Sequence, residues 1–230
     1  MIDRDALMRS AKSPNTTRAL ADSRTTPVVF IVDDDVSVRE SLELLVHSAG
    51  WQPETFASAA AFLARPHLDA PSCLVLDVSL PDLNGLELQQ RLAEEGLDMP
   101  IIFITGYGDV PMTVRAMKAG ASEFLTKPFG NDVLLDAITQ AIERSCAALD
   151  QEEELREVRE RYASLSRRER EVMALVVSGM LNKQVGAELH ISEITVKAHR
   201  GKVMRKMKAN SLADLVKIAA ALRTSPAPKP

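Results

Sequence analysis

From Val28 onward the chain alternates five times between a short apolar run and a stretch with helical periodicity. The runs are VVFIV from Val28, WQPETFA from Trp51, CLVLD from Cys73, PIIFIT from Pro100 and SEFLT from Ser122. After them come SVRESLELLVHSAG, a short helix around Ser58–Leu63, LNGLELQQRLAEEG, VPMTVRAMKAG and NDVLLDAITQAIERSC. In the first helix Val38, Leu42, Leu45 and Val46 recur at helical spacing, and Gly50 stops it, as Gly120 stops a later one. Strands that are apolar without interruption have both faces buried. Strands separated by amphipathic helices pair in parallel, because each crossover carries the chain back to the starting edge. The order therefore predicts a five-stranded parallel sheet covered by helices on both faces.

Charge sits where the runs end. Asp33, Asp34 and Asp35 follow the first, Asp77 closes the third, Thr105 the fourth, and Lys127 the fifth. In an open parallel sheet, ligands bind outside the carboxyl ends of the strands, and in a flavodoxin-like order strands 1 and 3 are neighbours. Asp33, Asp34 and Asp77 then surround one point. Adjacent carboxylates repel and are costly to bury unless a cation compensates them. Oxygen ligands suit Mg²⁺. Lys127 neutralises a further charge, and the Thr105 hydroxyl donates a hydrogen bond. Together these groups make a place for a phosphoryl group, and a carboxylate can itself accept it as an aspartyl phosphate. Asp35 is expected to cap the following helix, and Pro128 after Lys127 is a place for a cis bond. An alternative takes Asp33 and Asp35 as the DxD pair of a haloacid-dehalogenase-type phosphatase with Asp33 as nucleophile. A third reading is an interaction module whose sheet end no longer takes phosphate.

Net charge over the whole chain is −4, which hides a division. Residues 166–230 carry 13 Lys/Arg against 5 Asp/Glu, or +8, leaving −12 for residues 1–165. Two modules with different partners are indicated, the second able to meet a polyanion. Residues 1–26 read as a flexible tail with a helical turn near Ala6–Ala11. In LDQEEELREVRERYASL, the residues Leu155, Val158, Tyr162 and Leu165 form an apolar stripe on a short linker helix. From Ser166 the pattern is helix-turn-helix. Ser166 and Glu169 form a capping box, a first helix ends near Gly179, and a second runs Leu181 to Leu189. Ser192 caps a third, Glu193 to Met207, with Ile194, Val203 and Met207 facing inward. Thr195, Lys197, Arg200, Lys202, Arg205 and Lys206 are expected on its outer faces, where basic side chains meet DNA phosphates and base edges. TSPAPKP is a disordered end. Two cysteines, Cys73 and Cys146, stand in no metal or redox spacing and fit a reducing cytosol. No apolar run approaches the roughly 18 residues of a membrane span.

IVDDD, LVLDVSLPDLNG, ITGYGD and EFLTKPF make residues 28–145 resemble the receiver domain of two-component response regulators. LSRRERE, NKQVG and ISEITVKAHRGKVMRKM resemble the LuxR-type DNA-binding domain, and both halves together resemble the FixJ/NarL class of transcription regulators. The resemblance implies an α/β plus all-α chain: a flavodoxin-like (βα)5 receiver (27–145), a linker helix (146–165), a helix-turn-helix domain (166–223) and a tail (224–230). It implies Asp77 as phosphoacceptor, and Asp33, Asp34, Asp77 and the Ser79 backbone carbonyl around Mg²⁺. Thr105 and Lys127 would contact the phosphoryl group, and Phe124 would change rotamer with Thr105. The DNA-facing set is Asn182, Lys183, Thr195, Lys197, His199, Arg200 and Lys202. Of these Asn182, Lys183 and Lys202 are expected on phosphates; Lys197, Ala198 and Gly201 lie at groove-facing positions. Gly201 offers no side chain to a base and weakens the helix by about 1 kcal/mol relative to Ala. Val114 and Lys118 lie on the face by which FixJ-like receivers pair. The implied partners are a sensor histidine kinase, double-stranded promoter DNA, RNA polymerase and, after phosphorylation, a second copy of the chain. The implied location is the cytoplasm, and the implied role is a regulator, not an enzyme.

Overall fold

The computed structural model describes residues 26–66, 68–106 and 110–224. The expected helical turn near Ala6–Ala11, the rest of the N-terminal tail up to residue 25, and residues 225–230 lie outside the described residues. The described chain falls into two compact units, dividing between Cys146 and Ala147. No helix among the described residues is long and apolar enough to cross a membrane.

The first unit holds β1 (Val28–Val32), β2 (Gln52–Phe56), β3 (Ser72–Asp77), β4 (Ile101–Thr105) and β5 (Glu123–Thr126). They form one parallel sheet in the order β2-β1-β3-β4-β5. β1, β3 and β4 are buried at every position, as uninterrupted apolar runs require. Alternate residues serve opposite faces. Val28, Phe30, Val32, Leu74, Leu76 and Phe103 pack under α2 (Ala59–Leu63), α3 (Gly85–Glu95) and α4 (Val110–Lys118). Val29, Ile31, Val75, Ile102 and Ile104 pack under α1 (Val36–Ser48) and the first half of α5 (Asn131–Ala163). Gln89 of α3, buried, donates through Nε2 to the carbonyls of Ala116 and Ala119 and so holds the C-terminal end of α4.

The separate linker helix of the sequence reading is corrected: α5 runs unbroken for 33 residues through that stretch. Charged residues continue a helix as well as they interrupt a pattern. Here Arg156 pairs with Glu153, and Arg161 with Glu157, on one turn each.

The second unit contains α6 (Arg167–Val177), α7 (Asn182–Leu189), α8 (Glu193–Lys206) and α9 (Leu212–Thr224). Leu165, Val172, Met173, Val176, Val185, Val196, Val203, Met207 and Leu215 form its core. The apolar stripe expected along the linker is divided: Leu165 is buried in this core and Val158 packs beside it, whereas Tyr162 is exposed. The capping box at Ser166 is present, with the Glu169 amide donating to Ser166 Oγ and the Ser166 amide to Glu169 Oε2. The expected inward position of Ile194 is overturned. Ile194 is 80 % exposed, and Val196, two residues on, is buried in its place. The inner row is Val196, Val203 and Met207, a step of seven and then four.

Candidate functional site

Register builds the first site. β1 and β3 align Val32 with Leu76, so the next residues, Asp33 and Asp77, leave the sheet side by side. β3 and β4 align Asp77 with Ile104, placing Thr105 one residue further on the neighbouring strand. β4 and β5 align Thr105 with Thr126, and Lys127 follows directly, itself joined to Pro128 by a cis bond. The Asp33 side chain is fully buried, while Asp77 keeps a tenth of its side chain open to solvent. Lys127 Nζ donates to Asp33 Oδ2 at 2.7 Å and to Asp77 Oδ2 at 3.0 Å. The remaining oxygens accept backbone amides: Asp33 Oδ1 from Asp35 and Asp77 Oδ1 from Ser79, both at 3.0 Å.

Burial pushes the Asp33 carboxyl above its ordinary range, against the pull of Lys127. Burial also works against the Lys127 ammonium, but its bonds to Asp33 and Asp77 outweigh that and raise it. One ammonium thus faces two carboxylates and leaves a deficit of positive charge. One oxygen each of Asp33, Asp34 and Asp77 lies within 4.8 Å of the others. An all-oxygen set with that deficit fits a hard divalent cation such as Mg²⁺. Ser79 sits just beyond Asp77, exposed. Thr105 is fully buried. Phe124, half-buried on β5, lies 6.1 Å from the Phe103 ring.

Asp35 does not join the acids. Its side chain accepts the Ser37 amide at 2.8 Å as the N-cap of α1, which takes from the phosphatase reading its second aspartate. Two supporting residues escaped the sequence reading. Arg39 Nη1 donates to the carbonyls of Asp33 (2.7 Å) and Asp34 (2.9 Å), fixing the backbone that carries both acids. Asp82, in the loop after Asp77, accepts the amides of Ala60 (2.9 Å) and Ala59 (3.3 Å) at the start of α2. Those amides hold its carboxyl below the usual range. The only signal for Arg39 is its place one turn after the cap residue. For Asp82 there is none, since its partners are more than twenty positions away.

The second site is the surface of α7 and α8. The turn between them passes through His190 in the left-handed region, with the Ile191 amide donating to Gly186 O at 2.9 Å. A Cβ on Gly186 would meet the Ile191 carbonyl at 2.8 Å, so only glycine lets the two helices approach there. Ser192 caps α8 by accepting the Thr195 amide, and its hydroxyl bonds the Thr195 hydroxyl at 2.8 Å. Arg200 Nη1 donates to Asn182 Oδ1 at 3.2 Å, tying α8 to the start of α7, and both residues are half-buried. His199 is half-buried, with Nδ1 in the interior and no hydrogen-bond partner. Lys183, Lys197 and Lys202 are exposed, and Lys197 pairs with Glu193 at 2.9 Å. Lys206 is exposed, as expected, but is engaged within the module. Its ammonium donates to Glu169 Oε2 (2.7 Å) and Ser164 O (3.0 Å), holding the end of α8 against α6.

Residues 29–139 match the response regulator receiver domain family, and residues 163–219 match the bacterial regulatory proteins, luxR family. Nodulation protein W of Bradyrhizobium diazoefficiens is 48% identical over 204 residues, covering 89% of this chain and 90% of the relative. The response regulator protein TodT of Pseudomonas putida is 47% identical, covering 86% and 87%. Among solved structures, the response regulator StyR superposes with a TM-score of 0.76 at 46% identity, over 85% of this chain and 99% of that one. Full-length FixJ from B. japonicum does so with a TM-score of 0.53 at 40% identity, over 89% and 100%.

Proposed function

The chain belongs to the two-component response regulators that join a receiver domain to a LuxR-type DNA-binding domain, and on that premise we propose Asp77 as the acceptor through which phosphate controls its binding to promoter DNA. The carrying observation is the Lys127 ammonium held between buried Asp33 and partly open Asp77 at the strand ends. A carboxylate oxygen of Asp77 attacks phosphorus in a phosphohistidine of a sensor kinase. The P–N bond breaks, its electron pair leaves on the imidazole, and a mixed carboxylic–phosphoric anhydride remains on Asp77. Asp33, Asp34, Asp77 and the Ser79 carbonyl would hold Mg²⁺, which supplies neutralising charge to the phosphoryl oxygens. Lys127 stays against Asp33 and offers its other hydrogen bonds to the phosphoryl group; Thr105 donates a further one.

Downstream, Thr105 drawn toward the phosphoryl group leaves room for Phe124 to turn inward, remodelling the face of α4 and β5. Val114 and Lys118 on that face pair two receivers, and the pair presents two basic modules to a two-fold related site in double-stranded DNA. Asn182, Lys183 and Lys202 serve phosphates there, and Lys197 a base. The protein works in the cytoplasm as a regulator, not an enzyme, with a sensor histidine kinase and RNA polymerase as partners.

Labelling with acetyl phosphate and Mg²⁺ tests the acceptor. Asp77→Asn is expected to abolish label, whereas Asp34→Ala is expected to lose label that excess Mg²⁺ partly restores. Undiminished labelling of Asp77→Asn overturns the assignment.

A further inference from the structure

The outer face of α8 is less polar than the composition of its module suggests. Ile194, Lys197, Ala198 and Gly201 stand at i, i+3, i+4 and i+7, which is one face of a helix, and all four are exposed. A Cβ built on Gly201 would meet nothing within 4 Å. Several polar residues of α8 are already engaged inside the module. Thr195 is held by Ser192, Arg200 by Asn182, and Lys206 by Glu169. Two side chains with reach remain on this face, Lys197 and Ile194. Ile194 is the most exposed large apolar side chain among the described residues.

A lone exposed apolar side chain means little by itself; here the position matters. Ile194 is in the first turn of the second helix of a helix-turn-helix pair, and the first residues of such a helix face base edges in the major groove. The one apolar group on the major-groove edges of the four bases is the thymine 5-methyl. Ala198 and Gly201 on the same face carry too little side chain to hold the helix away from the groove floor. We propose that Ile194 is a specificity-determining residue that recognises thymine by packing on its 5-methyl group. The proposal rests on the DNA-binding reading above and deepens it.

The full chain, treated with acetyl phosphate and Mg²⁺, is used to select duplexes from a random pool. Each thymine of the selected site is then replaced singly by deoxyuridine, which deletes the methyl and keeps every base-pairing group. Affinities are measured by fluorescence anisotropy for the native protein and for Ile194→Ala. At one thymine in each half-site, uracil should weaken native binding about fourfold, the worth of one buried carbon. The same replacement should leave Ile194→Ala unaffected. The native scan can be read without the variant's folding, and truncating an exposed side chain spares the core. A uracil scan that is flat, or that changes both proteins alike at every position, overturns the proposal. So does an Ile194→Ala variant that loses affinity equally for all duplexes. A chain that enriches no sequence and shows no salt-dependent binding overturns the DNA-binding reading itself, and this inference with it.

Discussion

Glu169 is an acid buried in a basic module, and its surroundings keep it ionised. The Lys206 ammonium and then the Ser166 amide pull its carboxyl down from 4.5 to about 2. A folded-state value below the unfolded one means that the pair contributes stability above about pH 4.5. That contribution is lost as pH falls toward 2. Glu169→Gln, which keeps an acceptor for Ser166 but loses the charge, is expected to destabilise the second unit by about 1–2 kcal/mol at neutral pH, since Lys206 is partly solvated. Urea unfolding by circular dichroism at several pH values checks this, with the single Trp51 reporting the first unit separately. The gap between native and variant should close between pH 4.5 and 2; a gap that stays constant refutes the assignment. The exposed lysines follow different rules. Lys202→Ala should weaken binding to every duplex similarly and lower the slope of log affinity against log salt by about one. A loss confined to one sequence would make Lys202 a base contact instead.

At the scale of elements, loops decide whether the strand ends meet. Gly85 opens α3 directly behind the acceptor, and a Cβ there would lie 2.7 Å from the Asp77 carbonyl. Gly85→Ala must therefore displace either α3 or the backbone of Asp77, at about 1–3 kcal/mol. Slower labelling by acetyl phosphate, together with a lower unfolding midpoint, is the expected result. Native labelling at native stability would show that the loop absorbs the methyl. Which parts of this were legible in the sequence follows from the range of the forces involved. Apolar runs ending in Asp33, Asp77, Thr105 and Lys127 announce the sheet and its carboxyl end, because the signal lies within each run. The continuity of α5 was not legible: the stripe from Leu155 to Leu165 announces a helix in its charged half, but no local signal says whether the preceding helix stops before it. The helix α9 falls within the helical segment 166–223, but no start or stop signal there was used to set it apart as a fourth helix. The rotation of α8 was misread through Ile194. Two β-branched residues stand two positions apart, and only contacts with α6 and α7 decide that Val196 is the inner one.

Across the whole molecule the division of charge, −12 on residues 1–165 and +8 on residues 166–230, separates the part that receives phosphate from the part that meets DNA. Something has to make the second part respond to the first. Val110, Val114 and Met117 stand at i, i+4 and i+7 on α4, all exposed, as one apolar stripe at 77, 44 and 43 %. Gln89 of α3 holds the far end of the same helix through two carbonyls, which ties α4 to the helix that starts behind Asp77. Phosphate can act only by favouring one of two arrangements the chain already visits. The arrangement that buries the stripe against a second copy removes apolar surface from water and brings two helix-turn-helix modules together, multiplying their affinity for a paired site without new base contacts. Sedimentation at equal concentration should show a monomer without phosphate and a dimer with it. Val114→Asp, which puts a charge in the middle of the stripe, should abolish the dimer and leave labelling of Asp77 at the native rate. A dimer of equal strength in both states would refute pairing through α4 as the phosphate response. A Val114→Asp protein that still dimerises would move the interface to another face.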